Sequence, residues 1–582
     1  MTTLENTKFT INYVKQHKID LEALEKDYEY NPEDFEYKYN PFQIKTFQNY
    51  NPIYSLFFDL SEKSYNKIAL NHECHFLNMN KVIHCENKTE FDKQVFIKYS
   101  PLIDPIRYMT GKYKLEMDKV TILPNPFSSE GTLLPKISHY NNTSYVDNFF
   151  SFLTSILLQK HGLVNGLEYY GSFLGVQDKF KANISDDLEY LNSSDYFSDK
   201  INKLFTVTIE NKPDFATFGS RGNKSKLQFD DEAVDVVLDD LDILDPLDTV
   251  DPLDPIDTPK PETATEKDEL VYEKENNSTA TSKTSSNSSN NSETNYSIDN
   301  DEPDNQSETS ECSDDWESDS DETNDNDDDP ETQHYAFIND FPVQLICLEK
   351  CVGTLDELFE RDEISKDVGA AALMQVIMSL IAYQKAFHFT HNDLHTNNIM
   401  YVNTDKEYLY YCFNKQIYRV PTYGKIFKII DFGRSIYKFK GHQFFSDSFA
   451  PGGDGATQYN CEPYMNEKKP RVDPNYSFDL SRLGASIYDF IIEDDRHPED
   501  FDELQETIHR WCLDDNGKNI LYKRTGEERY PNFKLYKMIA RTVHLHTPRN
   551  QLEFPFFKQF LSNKKIDSNE NIMDIDALPQ YF

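Results

Sequence analysis

The 582-residue chain is 14% aromatic, which is ample material for a core, and carries a formal net charge of −42. That charge is local: residues 230–331 hold 36 Asp and Glu against 4 Lys and Arg, and the mildly acidic remainder gives no sign of the basic face that nucleic acid requires. Without a signal-like start or a run of about 18 apolar residues, and with eight scattered cysteines and no CxxC pair, a cytoplasmic protein with reduced thiols and no membrane partner is expected.

Residues 1–50 are polar, with helical spacing only around LEALEKDYEY, and read as an extension. Within 51–229, KVIH and KQVFIKY predict strands. His72, Cys74, His75, His84 and Cys85 are of metal-binding types, but their spacing fits no common zinc module, and strand-loop-strand is the plainer reading. In SYVDNFFSFLTSILLQKHG, the residues Val146, Phe149, Phe150, Leu153, Ile156 and Leu157 recur at helical spacing between Asn, Thr and Ser cap candidates and Gly162. A strand, LEYYGSFLG, should follow. Residues 230–331 have too few apolar residues to offset the entropy of ordering and are expected to be a disordered insertion.

Order is expected to resume over 332–350 with a buried strand, FPVQLICLEK. The stretch 351–562 then opens with GTLDELF and with AALMQVIMSLIAYQKAFH, apolar nearly all round and so a buried helix. After it come HNDLHTNNIM, a short strand IMYV, an aromatic hairpin EYLYYCFNKQIYRVPTYGK and a strand IFKIIDFGRS. Residues 563–582 read as a polar tail.

Asp393 and Asn398 precede one predicted strand and Asp431 follows another, so three side-chain oxygens should gather at neighbouring strand ends. Mg²⁺ takes hard oxygen ligands and keeps part of its coordination for phosphate and water, so one acid and one amide suffice. Asp393 is then left to accept a proton from an incoming hydroxyl. Singly, each residue is more often a turn former; their order along the chain favours the site.

These stretches resemble the eukaryotic-type protein kinase family, including serine/threonine kinases of amoeba-infecting giant DNA viruses. His391, Asn392, Asp393, Leu394 and Asn398 match the H-R-D-L-x-x-x-N loop, and Asp431, Phe432 and Gly433 match D-F-G. VFIK resembles the V-A-I-K strand, SFDLSRLGASIYDF the helix that carries Asp479, and LICLEKCVGTLDEL the hinge. The resemblance implies an α+β, bilobal fold: a small β-rich N-lobe, interrupted by the acidic insertion, and a larger, mainly helical C-lobe. It also implies ATP and Mg²⁺ as cofactors and a protein serine or threonine as substrate. Lys98 would hold phosphates, the backbone of Glu349 and Cys351 would meet adenine, Asn398 and Asp431 would hold Mg²⁺, and Asp393 would act as base. His395, where the family carries lysine, would donate to the phosphoryl group or simply pack. Glu467, 12 residues before Asp479, would form a buried pair with Arg549.

The chain departs from the family pattern in three places. No glycine precedes Gly111, so the glycine-rich loop is missing, with SEKSYNK as the substitute on offer. The helix at 144–160 offers Asp147 instead of glutamate, and its shorter reach makes it a poor match for Lys98. Asn392 replaces the arginine that would pair with a phosphorylated activation segment, so activity is not expected to depend on phosphorylation within 435–466. A catalytically weak pseudokinase scaffold and a small-molecule kinase, suggested by HNDLH, remain open beside the protein kinase, and the sequence does not indicate an oligomeric state.

Overall fold

A five-stranded antiparallel sheet is built from β1 (Ile44–Gln48), β2 (Val95–Pro101), β3 (Tyr169–Asn183), β4 (Phe205–Asn211) and β5 (Thr332–Glu349). Its spatial order is β1-β3-β5-β2, with β4 paired to the first half of β5. The computed structural model describes residues 11–29, 37–211, 332–492, 497–564, 566 and 570–582; the acidic segment 230–331 lies outside them. Helix α1 (Thr143–His161) packs on β3. Asn142 caps it, accepting from the Ser144 amide at 3.0 Å, and Gly162 ends it in the left-handed region at φ 66°.

The second half is built on α2 (Lys366–Phe387), whose residues from Gly369 to Tyr383 are all buried. Among the described residues it is the one helix long and apolar enough to cross a membrane, and 94% of its apolar window is buried inside the fold, as befits a core helix. Strands β6 (Gly353–Thr354), β7 (Ile399–Asn403) and β10 (Lys425–Ile429) form a three-stranded sheet. Between β7 and β10, β8 (Tyr408–Phe413) and β9 (Gln416–Pro421) make the aromatic hairpin. Its turn residues Asn414 and Lys415 both take positive φ, which matches the right-handed twist of the strands. A second hairpin, β11 (Ile436–Phe439) with β12 (His442–Phe445), is followed by α3 (Phe478–Ile491), α4 (Glu503–Trp511) and α5 (Lys534–Thr542). The architecture is therefore mixed α and β with several small sheets, compatible with α+β.

Two of the expected boundaries are corrected. Part of the stretch read as an N-terminal extension belongs to the fold: β1 forms the sheet edge, and Ile11, Leu24, Phe42 and Tyr50 are buried. The C-terminal stretch is not a loose polar tail either. Strand β13 (Ile572–Asp574) pairs in parallel with β8, and Met573, Ile575, Leu578 and Tyr581 are buried. Acids between those apolar residues mask their pattern in the sequence. SEKSYNK forms no hairpin ahead of Lys98; it ends in the helical turn Tyr65–Lys67, leading to a strand that pairs with Tyr13–Lys15.

Candidate functional site

The loop after α2 is fixed from below. The amides of His391 and Asn392 donate to the two carboxylate oxygens of Asp479 at 2.9 and 2.8 Å. Asp479, on α3, is fully buried, and burial pushes its carboxyl upward against the pull of His391 and these amides. Asn392 sits at φ 66°, a region that asparagine tolerates better than most residues. Its side chain donates to the Arg434 carbonyl at 2.9 Å and accepts from the Tyr459 hydroxyl at 2.7 Å. Neutral hydrogen bonds thus tie the loop to segment 434–460.

The loop is also stitched to the segment that carries Asp431. His391 Nε2 meets the Ile430 carbonyl at 2.9 Å, and the Ile430 amide donates to the Asn398 carbonyl at 3.0 Å. Asn398 Nδ2 donates to the Asp393 carbonyl at 2.8 Å and meets His395 Nε2 at 3.0 Å. Since that nitrogen must be the donor toward a carbonyl, His395 Nε2 is an acceptor and the ring is neutral. Consistently, burial is the main reason the His395 ring is lowered to about 4. Among the described residues, none donates to Asn398 Oδ1, which is left for another partner.

Lys98 lies on β2 with its ammonium between two carboxylates, 2.7 Å from Asp147 Oδ2 and 2.8 Å from Asp431 Oδ1. Asp147, 2% exposed on α1, also accepts the Phe432 amide through Oδ1 at 2.9 Å. The expectation that its reach is too short is thus overturned. The reason is close approach: a Cβ at Gly433 would lie 3.0 Å from Thr143 Cγ2, so a glycine lets α1 come near enough for the shorter acid. Burial works against charge on all three groups. Lys98 is nevertheless held well above its ordinary range by its two acids, and Asp431 below its range by Lys98, while burial leaves Asp147 raised. Phe432 is buried, with its ring 4.8 Å from Phe150 and 5.7 Å from His391.

Asp393 accepts the Tyr536 hydroxyl through Oδ1 at 2.7 Å. Burial opposes its ionisation, but the charges of Arg434 and Arg482, with that hydrogen bond, hold it far below the usual carboxylate range. Lys98 and Asp431 are reachable from solvent, their side chains being 29% and 46% exposed. A cavity of about 410 Å³ lies apart from these residues, lined by Lys45, Tyr108, Asp178 and Asp340 among others.

Glu349 and Cys351 stand at and just beyond the end of β5. Glu349 Oε1 is engaged by Lys428 and by the Glu168 amide, and the Glu349 amide itself donates to the Glu168 carbonyl at 3.0 Å. The pairing of Glu467 with Arg549 is corrected. Both are exposed, Arg549 stands over the Phe413 ring at 5.6 Å, and the chain near Glu467 is tied instead by Arg471 to Glu462 and Asp473. The aromatic hairpin, which the spacing rule does not anticipate, gives Arg549 its neighbour. The rings of His72 and His75 lie 4.4 Å apart, tilted by 32°. Cys74 and His84 face each other across a strand pair, and among the described residues the metal-capable groups that gather in threes are Cys412, Asp574 and Asp576.

Sequence reasoning missed Tyr459, Tyr536, Asp447, Arg434 and Arg482. A signal existed for Arg482, a cation inside an otherwise apolar helical stretch, and for Arg434, which follows Gly433 directly; Tyr536 carried none. Asp447 accepts from the amide and hydroxyl of Thr143 at 3.0 and 2.8 Å and pairs with Lys136 at 2.7 Å. No known family model matches the chain, and neither does any curated protein.

Proposed function

We propose that the chain is a bilobal, protein-kinase-like phosphotransferase that moves the γ-phosphoryl group of ATP to a serine or threonine hydroxyl of a protein. The observation that carries this reading is the Lys98 ammonium, held by Asp147 and Asp431, beside a loop that bears Asp393 and Asn398 and is hydrogen-bonded to the Asp431 segment. Lys98 supplies a fixed positive charge for nucleotide phosphates. The donor set fits Mg²⁺: Asn398 Oδ1 has no hydrogen bond among the described residues and the Asp431 carboxylate is partly exposed, both hard oxygens. When bound there, Mg²⁺ would neutralise charge on phosphate oxygens.

Asp393 orients the incoming hydroxyl through Oδ2, since Oδ1 is occupied by Tyr536. A carboxylate held so low is a weak base, so it takes the proton late, as suits a loose phosphoryl-transfer transition state. His395, neutral and bonded to Asn398, serves to set that amide rather than to donate to phosphate.

A second reading, a nucleotide-binding scaffold without transfer, is favoured by the lack of any glycine before Gly111. Nucleotide binding is tested by titrating ATP into the full chain with and without Mg²⁺. Mg²⁺-dependent binding that weakens about tenfold or more in Lys98→Met and Asp431→Asn is expected. Binding that ignores Mg²⁺ and both substitutions would refute the site.

A further inference from the structure

We propose that Tyr536 is a positioning residue of this site: its hydroxyl holds Asp393 by Oδ1 so that Oδ2 alone is presented to the acceptor hydroxyl. The proposal rests on the phosphotransfer reading above and deepens it.

Tyr536 lies on α5, 143 residues beyond Asp393. It is 4% exposed, its ring stacks on Phe533 at 5.3 Å, and Phe478 packs at 6.1 Å. So bounded, it is part of the wall of the site, not a side chain that swings in and out. Two guanidinium groups flank the same ring, Arg434 at 5.1 Å and Arg482 at 5.0 Å. Arg434 has an acid within reach, Asp454 at 3.5 Å. Arg482 is 1% exposed and, among the described residues, has no carboxylate at ion-pair distance; its Nε and Nη1, like Nε of Arg434, have no protein acceptor.

A buried guanidinium with spare N–H groups near a carboxylate tends to take both oxygens in a forked pair. Such a pair would consume the acceptor that the incoming hydroxyl needs. Tyr536 prevents it in two ways. Its ring lies 5.1 and 5.0 Å from the two guanidinium carbons, where the cations are stabilised by the π face, and its hydroxyl occupies one carboxylate oxygen without adding charge. The arginines then act on Asp393 through space and leave Oδ2 uncovered.

The test uses the full chain and its Tyr536→Phe variant, with labelled ATP, Mg²⁺ and a mixed serine/threonine peptide pool. Tyr536→Phe is expected to lower kcat about 10- to 100-fold, the worth of a hydrogen bond to a charged group, with KM for ATP within about twofold and an unchanged melting temperature. Tyr536→His, which keeps a ring and a donor, should retain more of the rate. Unchanged kcat in Tyr536→Phe would overturn the proposal, as would a raised kcat, which would make the tyrosine a blocker. Equal losses in the two variants, or a loss matched by unfolding, would also overturn it. A wild-type chain that transfers no phosphate would instead overturn the phosphotransfer reading, and the proposal with it.

Discussion

Replacing Asp147 tests the tie between α1, β2 and the Asp431 segment. In Asp147→Ala the Phe432 amide loses its acceptor in a buried place, which costs about 1–3 kcal/mol. Breaking a buried ion pair from one side typically costs about 3–5 kcal/mol. Lys98, however, keeps Asp431 at 2.8 Å and is 29% exposed, so that part falls to about 1 kcal/mol. The expected loss is about 2–4 kcal/mol. Asp147→Asn keeps an acceptor for Phe432 but turns an amide toward the ammonium, for about 1–2 kcal/mol. Asp147→Glu adds a methylene where α1 already lies close to Gly433, and should cost about 1–3 kcal/mol by overpacking. Urea unfolding monitored by far-UV circular dichroism, with m-values compared, measures all three. A stabilising Asp147→Glu would refute the close-approach argument, and an Asp147→Ala loss below about 0.5 kcal/mol would refute the pair.

Lys428 is 4% exposed and joins Glu349 to the Gly166 carbonyl; Lys428→Met should cost about 3–5 kcal/mol in denaturant unfolding, and adding Glu349→Gln should restore part of it, so a double variant no better than the single one is the contrary result. Asp447 already supplies negative charge at the start of α1, so phosphatase treatment should leave transfer unchanged while Asp447→Ala lowers it, and a treated sample that loses its rate would contradict this. His75, 2% exposed, is lowered to about 4, first by burial and then by the charges of His17 and Lys88. The unfolded chain takes up this proton near pH 6.5 and the folded one only near 4, so stability is fully present above 6.5 and falls by about 3 kcal/mol on acidification to 4. His72 adds to the same slope. His75→Gln should flatten the slope by one proton in urea unfolding across that range; an unchanged slope would contradict the assignment.

The parts of the fold that were legible in the sequence are those where local pattern and burial agree. The apolar spacing between Asn142 and Gly162 gave α1 with both caps, and the nearly all-apolar stretch before HNDLH gave α2. Asp393, Asn398, Asp431 and Asp479 were legible only through their order along the chain, since Asp and Asn at element boundaries are singly more often turn or helix-start residues. Close approach was not legible: whether aspartate reaches Lys98 depends on the space left by Gly433, which no spacing along α1 encodes. Nor was Tyr536, since its partner is fixed by how α5 packs on α3. The Glu467–Arg549 pairing failed because a rule of spacing was applied across a chain with an added hairpin beside Arg549.

The most direct measurement is transfer of labelled γ-phosphate to a serine/threonine peptide pool by the purified chain and by Asp393→Asn, with Mg²⁺ and ATP. Transfer by the wild type and a loss of about 100-fold or more in the variant are expected, with ATP binding retained. No transfer by the wild type, or equal rates in the two, would contradict the phosphotransfer reading.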